Sequence, residues 1–439
     1  MRGHFRLGLF LIASCFVAAT ATAQPYPQDQ LLETQLVPDI RAGYDDLFFN
    51  RGVGLDDIFE EAVQGAWMRL EYLNYRISSP QEVTLGAPLA DVQDPSRPFD
   101  VTDTAGILVT QAKVPILQGV QLDNLNGIRG SVGLPVGNVG WIEGSAWGLS
   151  EATAFASTDR LPFIGGLLAT GPAGTPPVTL LATTLLGNGG PGNRFLIYDQ
   201  DFSARYQSDI WSGEANLVFN VDTPQQGLRV QSLLGFRRIQ LDEQLEFGGT
   251  YTNVSDIDFL AGPVALPRRS SIASKAHNNM YGGQLGLRAE YVTNRFTLGV
   301  EPKVVLMHNR TTANVTTQNL RTAFIDGRTP DPLIFPPVQR LFTLDDPTRT
   351  TLSSDIQFSP GLDVGVYAKL NVTSWFNLKF GYNLLWLGNL SSPENNIVYN
   401  DDGDQNNNLP NTPGVVVRQS SFTDRFIDGI SIGGEILLP

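Results

Sequence analysis

Two histidines beyond the N-terminus, His277 and His308, are the first residues to weigh for chemistry. A histidine at the end of a strand can serve as a general base. It then needs a nucleophile within reach and an acid to orient it. No G-x-S-x-G occurs, and neither histidine has a second His or Cys at metal-ligand spacing. Hydrolysis at an outer rim is therefore the weakest reading, and the chain is expected not to be an enzyme. The run Asp401-Asp402-Gly403-Asp404, continued by Gln405 and three Asn, is rich in oxygen. It lacks the spaced acids and closing Glu of an EF-hand and reads as a solvated loop tip. No phosphate-cradling or dinucleotide motif is present, so no cofactor or metal is expected.

The other ionisable residues fall at alternate positions of apolar stretches. They are Arg69, Glu71, Arg129, Glu143, Arg205, Glu214, Arg229, Arg288, Glu290, Glu301, Lys303, Asp363, Lys369, Lys379 and Glu435. Both signs are interleaved. If the apolar faces meet lipid, these charges line an interior. In a narrow interior opposed charges pair rather than border an open pore, so a restricted or gated passage is expected. The plainer alternative is that any such interior must be polar, and that the charges select nothing.

What would position these charges is a set of strands of period two. On Tyr281 to Tyr291 the residues Tyr281, Leu285, Leu287, Ala289 and Tyr291 share one face, against Gln284, Arg288 and Glu290. After Thr293-Asn294-Arg295 the alternation resumes at Phe296, Leu298 and Val300. This is an antiparallel hairpin. Further hairpins pair Leu362 to Val372 with Phe376 to Trp386, Trp211 to Val221 with Leu228 to Leu241, and Gly127 to Leu134 with Val139 to Leu149. Single strands remain at Trp67 to Ile77 and Arg425 to Leu438. Connections near 136–138, 222–227, 293–295 and 373–375 are short. Those near 78–126, 150–200, 242–279, 308–354 and 389–424 are long. Alternating short turns and long loops suit a transmembrane up-and-down barrel of about ten antiparallel strands, within eight to fourteen. A soluble β-sandwich also alternates, but it has no reason for such loop lengths. All six Trp fall on these strands or their ends, as an aromatic girdle would place them.

The remaining composition agrees. Charged residues are 17% and the net charge is −14, with only five Lys and no basic cluster, so a nucleic-acid partner is not expected. Arg2 and Arg6 precede an apolar run from Leu7 to Ala19, and Ala21-Thr22-Ala23 offers a cleavage site before Gln24. This is the layout of a secretory signal peptide over 1–23. The lone Cys15 lies inside it and fits a lipoprotein box only loosely. Residues 24–66 form a polar arm with a short amphipathic helix at Leu55 to Val63, on the periplasmic side, and 67–439 form the barrel.

Several strands resemble the planctomycete-type β-barrel porin family numbered seven. The residues that carry it are Asp201-Phe202-Ser203-Ala204-Arg205-Tyr206, Trp211-x-x-Glu214-x-Asn216-Leu217, Gly235-Phe236-Arg237 before Leu241-Asp242-Glu243, Asn279-x-Tyr281-Gly282-Gly283-Gln284-Leu285-Gly286, Gly381-Tyr382 with Trp386, and Glu71-Tyr72-Leu73. The resemblance implies an outer-membrane location in a diderm bacterium and a porin role, and brings no catalytic or ligand residues. Expected partners are outer-membrane lipids, the barrel-insertion machinery and small solutes, with oligomeric state open. Many barrels end in an aromatic residue that the insertion machinery reads. Here the last residues are Leu437-Leu438-Pro439, a departure from that pattern. The alternative to passage is a non-conducting envelope barrel that displays its long loops.

Overall fold

The computed structural model describes residues 65–86, 99–102, 108–117, 120–136, 140–157, 179–184, 195–198, 200–221, 227–251, 268–320, 346–401, 414–419 and 421–438. The signal peptide, the expected helix at 55–63, the turns at 137–139 and 222–226, and the oxygen-rich run beyond Asp401 lie outside them.

Ten strands form the frame: β1 (Trp67–Ile77), β2 (Leu122–Val136), β3 (Gly140–Leu149), β4 (Gln200–Val221), β5 (Leu228–Tyr251), β6 (Arg268–Val292), β7 (Phe296–Leu320), β8 (Asp346–Asn371), β9 (Phe376–Leu390) and β10 (Thr423–Leu437). Each pairs antiparallel with its sequence neighbours, and β10 pairs with β1 from Trp67↔Leu437 to Ile77↔Ile427. The ten strands therefore close into a ring in which each has a neighbour on both sides, and the short strand Ala152–Ser157 continues the β3 side against β4. The turns 293–295 and 373–375 are tight, with Thr293 N donating to Phe296 O at 2.9 Å and Val372 N to Phe376 O at 3.1 Å.

The ring has a short wall and a tall one. Strands β9, β10, β1, β2 and β3 run 15, 15, 11, 15 and 10 residues. Strands β4 to β8 run 22, 24, 25, 25 and 26. A tilted strand needs roughly nine to eleven residues to cross a bilayer. Half or more of each tall strand therefore stands beyond it.

Side-chain placement marks where the bilayer ends. On β6 the outward residues Leu285, Leu287 and Tyr291 are exposed and apolar, while Gln284 and Glu290 are buried inside. Above Tyr281 the same outward phase carries Asn279, His277 and Lys275, and the inward phase carries buried Met280, Ala276 and Ile272. β5 repeats this switch: outward Leu234 and Phe236 give way to Arg238, Gln240 and Asp242, and inward Arg237 gives way to Ile239, Leu241, Leu245 and Phe247. The β5–β6 pairing runs unbroken from Leu228↔Tyr291 to Tyr251↔Arg268, so no bulge causes the change. The chemistry swaps sides while the backbone continues. Lipid demands an apolar exterior below, and water demands a polar exterior above.

This corrects two expectations. Residues 242–251, 268–279, 308–320 and 346–354 are strand rather than loop. An apolar face that changes phase without a turn reads in sequence as the end of a strand. The tryptophans also divide. Trp211 and Trp375 face outward, but Trp67 and Trp147 are buried within the ring. Gly133 makes room for one of them, since a Cβ there would overlap the Trp67 indole.

The apolar inner face of the tall wall must be covered, and chain from the long connections covers it. Leu85, Leu117, Val120, Leu181, Tyr198, Ile397, Tyr399 and Val415 share one buried cluster with Ile239, Leu245, Phe247, Ile272 and Met280. On the outside, Leu352 and Ile356 of β8 stay apolar and exposed above the girdle.

Candidate functional site

The membrane-embedded part of the lumen is a layer of paired charges. Arg288 on β6 reaches Glu143 on β3 with both terminal nitrogens, at 2.8 and 2.7 Å, while its Nε donates to Glu301. Lys303 lies 2.9 Å from Glu214 and 2.8 Å from Glu301. Arg237 pairs with Asp363 and donates to Ser212 at 3.1 Å. Near the periplasmic end Arg69 bridges Glu71 and Glu435 at 3.3 and 3.1 Å. Lys379 reaches Glu71 at 3.2 Å, and Lys369 reaches Glu435 at 3.3 Å. Tyr367 donates to Glu290 at 2.7 Å, and Arg129 donates to the Tyr75 hydroxyl at 2.7 Å.

Two features decide what this layer can do. First, three of the pairs, Arg288–Glu143, Lys303–Glu214 and Arg237–Asp363, span the ring. β3 and β6 stand three places apart, as do β4 and β7, and β5 and β8. Each long pair is thus a strut across the lumen rather than a bond between neighbouring strands. Second, the charges nearly balance. Arg69, Arg129, Arg237, Arg288, Lys303, Lys369 and Lys379 face Glu71, Glu143, Glu214, Glu290, Glu301, Asp363 and Glu435. With half-exposed Arg229 at the periplasmic end, 3.6 Å from Glu290, eight cations meet seven anions among the described residues, so no large single-sign field is left to draw ions through. The cavity among them has a volume of about 50 Å³, bordered by Trp67, Arg129, Glu143, Glu214, Arg288 and Asp363. It has room for a few waters and not for a solute.

Of the fifteen residues singled out from sequence, fourteen lie on the inward phase. Arg229 among these is a half-exposed partner of Glu290 at the periplasmic end, 3.6 Å away. Arg205 is the exception. It lies opposite Phe155 on the outward phase, its guanidinium 5.5 Å from that ring, while Ala204 and Tyr206 point inward. Arg205 stands above the girdle, where polar means outside. Sequence reasoning did not single out Arg237, which carries the same phase as Arg229 and Gln231. It also missed Glu243 and Arg425, buried among apolar neighbours.

Both histidines lie outside the ring. The His308 ring packs on Tyr281 at 5.1 Å between centroids. The register sets His277 opposite Asp242, and their side chains pair. The hydrogen bond to Asp242 raises the pKa of His277, which stands beyond the apolar band.

A sequence profile of the family described as "Putative beta barrel porin-7" matches residues 197–437, more than half of the chain. The chain belongs to this family. It is an outer-membrane β-barrel, in agreement with the closed ring and its apolar belt. No curated protein matches it. Among solved structures, the TodX deltaS2S3 mutant monoaromatic hydrocarbon channel aligns at 8% identity and a TM-score of 0.26, over 87% of this chain and 92% of that one. The toluene transporter TbuX of Ralstonia pickettii aligns at 8% and 0.18, over 86% and 90%. OmpT of Vibrio cholerae aligns at 8% and 0.14, over 85% and 96%. At these scores the likenesses carry no argument about this chain.

Proposed function

We propose that this family member passes small solutes across the outer membrane through a lumen that is normally shut and opens by rearrangement. The observation that carries the reading is the nearly balanced layer of charge pairs, three of them spanning the ring, around a cavity of about 50 Å³. Such pairs are costly to bury unless mutually satisfied. In a barrel of about ten strands, side chains fill the interior more readily than water does. Passage therefore requires struts to swing aside. Near-neutral balance favours small polar solutes over one sign of ion. The chain reaches the membrane after export and cleavage near Ala23, inserted by the barrel machinery.

The filled interior also supports a second reading, a non-conducting envelope barrel. A planar bilayer separates the two. Purified protein that runs as a compact band before boiling is expected to give small, brief steps from a closed baseline. A flat record from such folded protein overturns the passage reading and leaves the second.

A further inference from the structure

The mouth above the charged layer is crossed by a second, separate ion cluster. Arg425 on β10 and Glu243 on β5 stand five places apart in the ten-membered ring, on opposite walls. Arg425 Nε donates to Glu243 at 3.1 Å, so its guanidinium crosses the mouth. The same guanidinium donates to Glu394 at 2.9 Å and to the Tyr206 hydroxyl at 3.1 Å, and Tyr206 in turn donates to Glu394 at 3.3 Å. The side chains of Arg425, Glu243 and Glu394 are 1%, 0% and 0% exposed.

Glu394 belongs to no strand. It sits in Ser391-Ser392-Pro393-Glu394-Asn395-Asn396, which turns into the mouth after Asn389, a residue at φ 56°. Asn278 grips the segment from the tall wall, donating to Ser391 O at 2.8 Å and accepting from Ser391 N at 2.9 Å. Ser391, Ser392 and Asn396 are fully buried. Apart from Pro393 the segment holds no apolar side chain, so between its anchors Leu390 and Ile397, both in the apolar cluster, it is held by polar contacts that water can replace. The apolar cluster beside it has no such exchange. Departure of the segment also leaves Arg425 paired with Glu243, one charge to one, rather than orphaned.

We propose that residues 391–396 are the gate of the mouth, that Glu394–Arg425 is its latch, and that Glu243 holds Arg425 in place in both states. This rests on the passage reading above. The test is single-channel recording of wild type, Glu394→Gln and Tyr206→Phe, with heat-modifiable migration as the fold control. Loss of a charge-assisted bond in Glu394→Gln should raise the open fraction roughly tenfold at unchanged step size. Tyr206→Phe should raise it less. Conduction by wild type with an unchanged open fraction in Glu394→Gln overturns the latch and spares the passage reading. A changed step size at unchanged open fraction also overturns it, because Glu394 would then border the path. Silence from every folded protein defeats the passage reading and the latch with it. Should Glu394→Gln fail to fold, Ser392→Cys in the chain after loss of Cys15 supplies a second readout. Its labelling by an aqueous thiol reagent must hold the gate open. Labelling that leaves the open fraction unchanged contradicts the proposal.

Discussion

The lower and upper halves of the tall wall are built from the same continuous strands and follow opposite rules. Below Tyr281 the exterior of β6 is Leu285, Leu287 and Tyr291, and the interior is charged and paired. Above Tyr281 the exterior is Asn279, His277 and Lys275, and the interior is a packed apolar cluster under a cap of loop chain. The difference shows that a period-two strand has no inside or outside of its own. The solvent on each side assigns the faces, and one strand can pass between two solvents without a bulge. The lower half is held by electrostatic struts, and the upper half by apolar packing plus one ionic latch.

The largest effect that sharpens this comparison lies in the struts. Arg288→Ala leaves Glu143 and Glu301 buried without their shared cation, and breaking such a pair costs about 3–5 kcal/mol. The urea midpoint of folded barrel in detergent should fall accordingly. A midpoint within error of wild type would mean that the struts are solvated and the lower lumen is wet. A smaller effect compares two outward positions on one strand. Leu285→Arg sets a cation in the apolar band and should cost about 2–4 kcal/mol in lipid vesicles. Ala273→Arg, on the same phase above the girdle, should stay within about 0.5 kcal/mol of wild type. Equal costs would move the membrane boundary or abolish it.

What the sequence disclosed follows the same division. Tyr281 to Tyr291 keeps one phase for eleven residues, as does Leu362 to Val372, and such runs announce lipid-facing strands and their charged inner partners. Hence the closed ring and most lumen charges were legible. Above the girdle, Met280, Ala276 and Ile272 fall on the opposite phase from Leu285 and Leu287, and the alternation cancels. Strand there looks like loop, and Arg205 looks like a lumen residue. The gate was illegible for a different reason. Ser391 to Asn396 falls in the long connection near 389–424, and only three-dimensional contact with Asn278 and Arg425 reveals it as buried. Glu243 and Arg425 lie 182 residues apart and carry no pattern that would join them.

The most direct test of the swapped faces is a cysteine scan along β6 in outer-membrane vesicles, with single substitutions at Leu287, Leu285, Ala273 and Ser271 on the outward phase and at Ile272 on the inward phase. Each would be challenged with an aqueous thiol reagent and with a lipid-confined quencher of an attached fluorophore. Leu287→Cys and Leu285→Cys are expected to respond to the lipid quencher alone. Ala273→Cys and Ser271→Cys should respond to the aqueous reagent alone, and Ile272→Cys to neither. Lipid quenching that continues on the outward phase through Ala273, or aqueous labelling at Ile272, would contradict the change of faces at Tyr281.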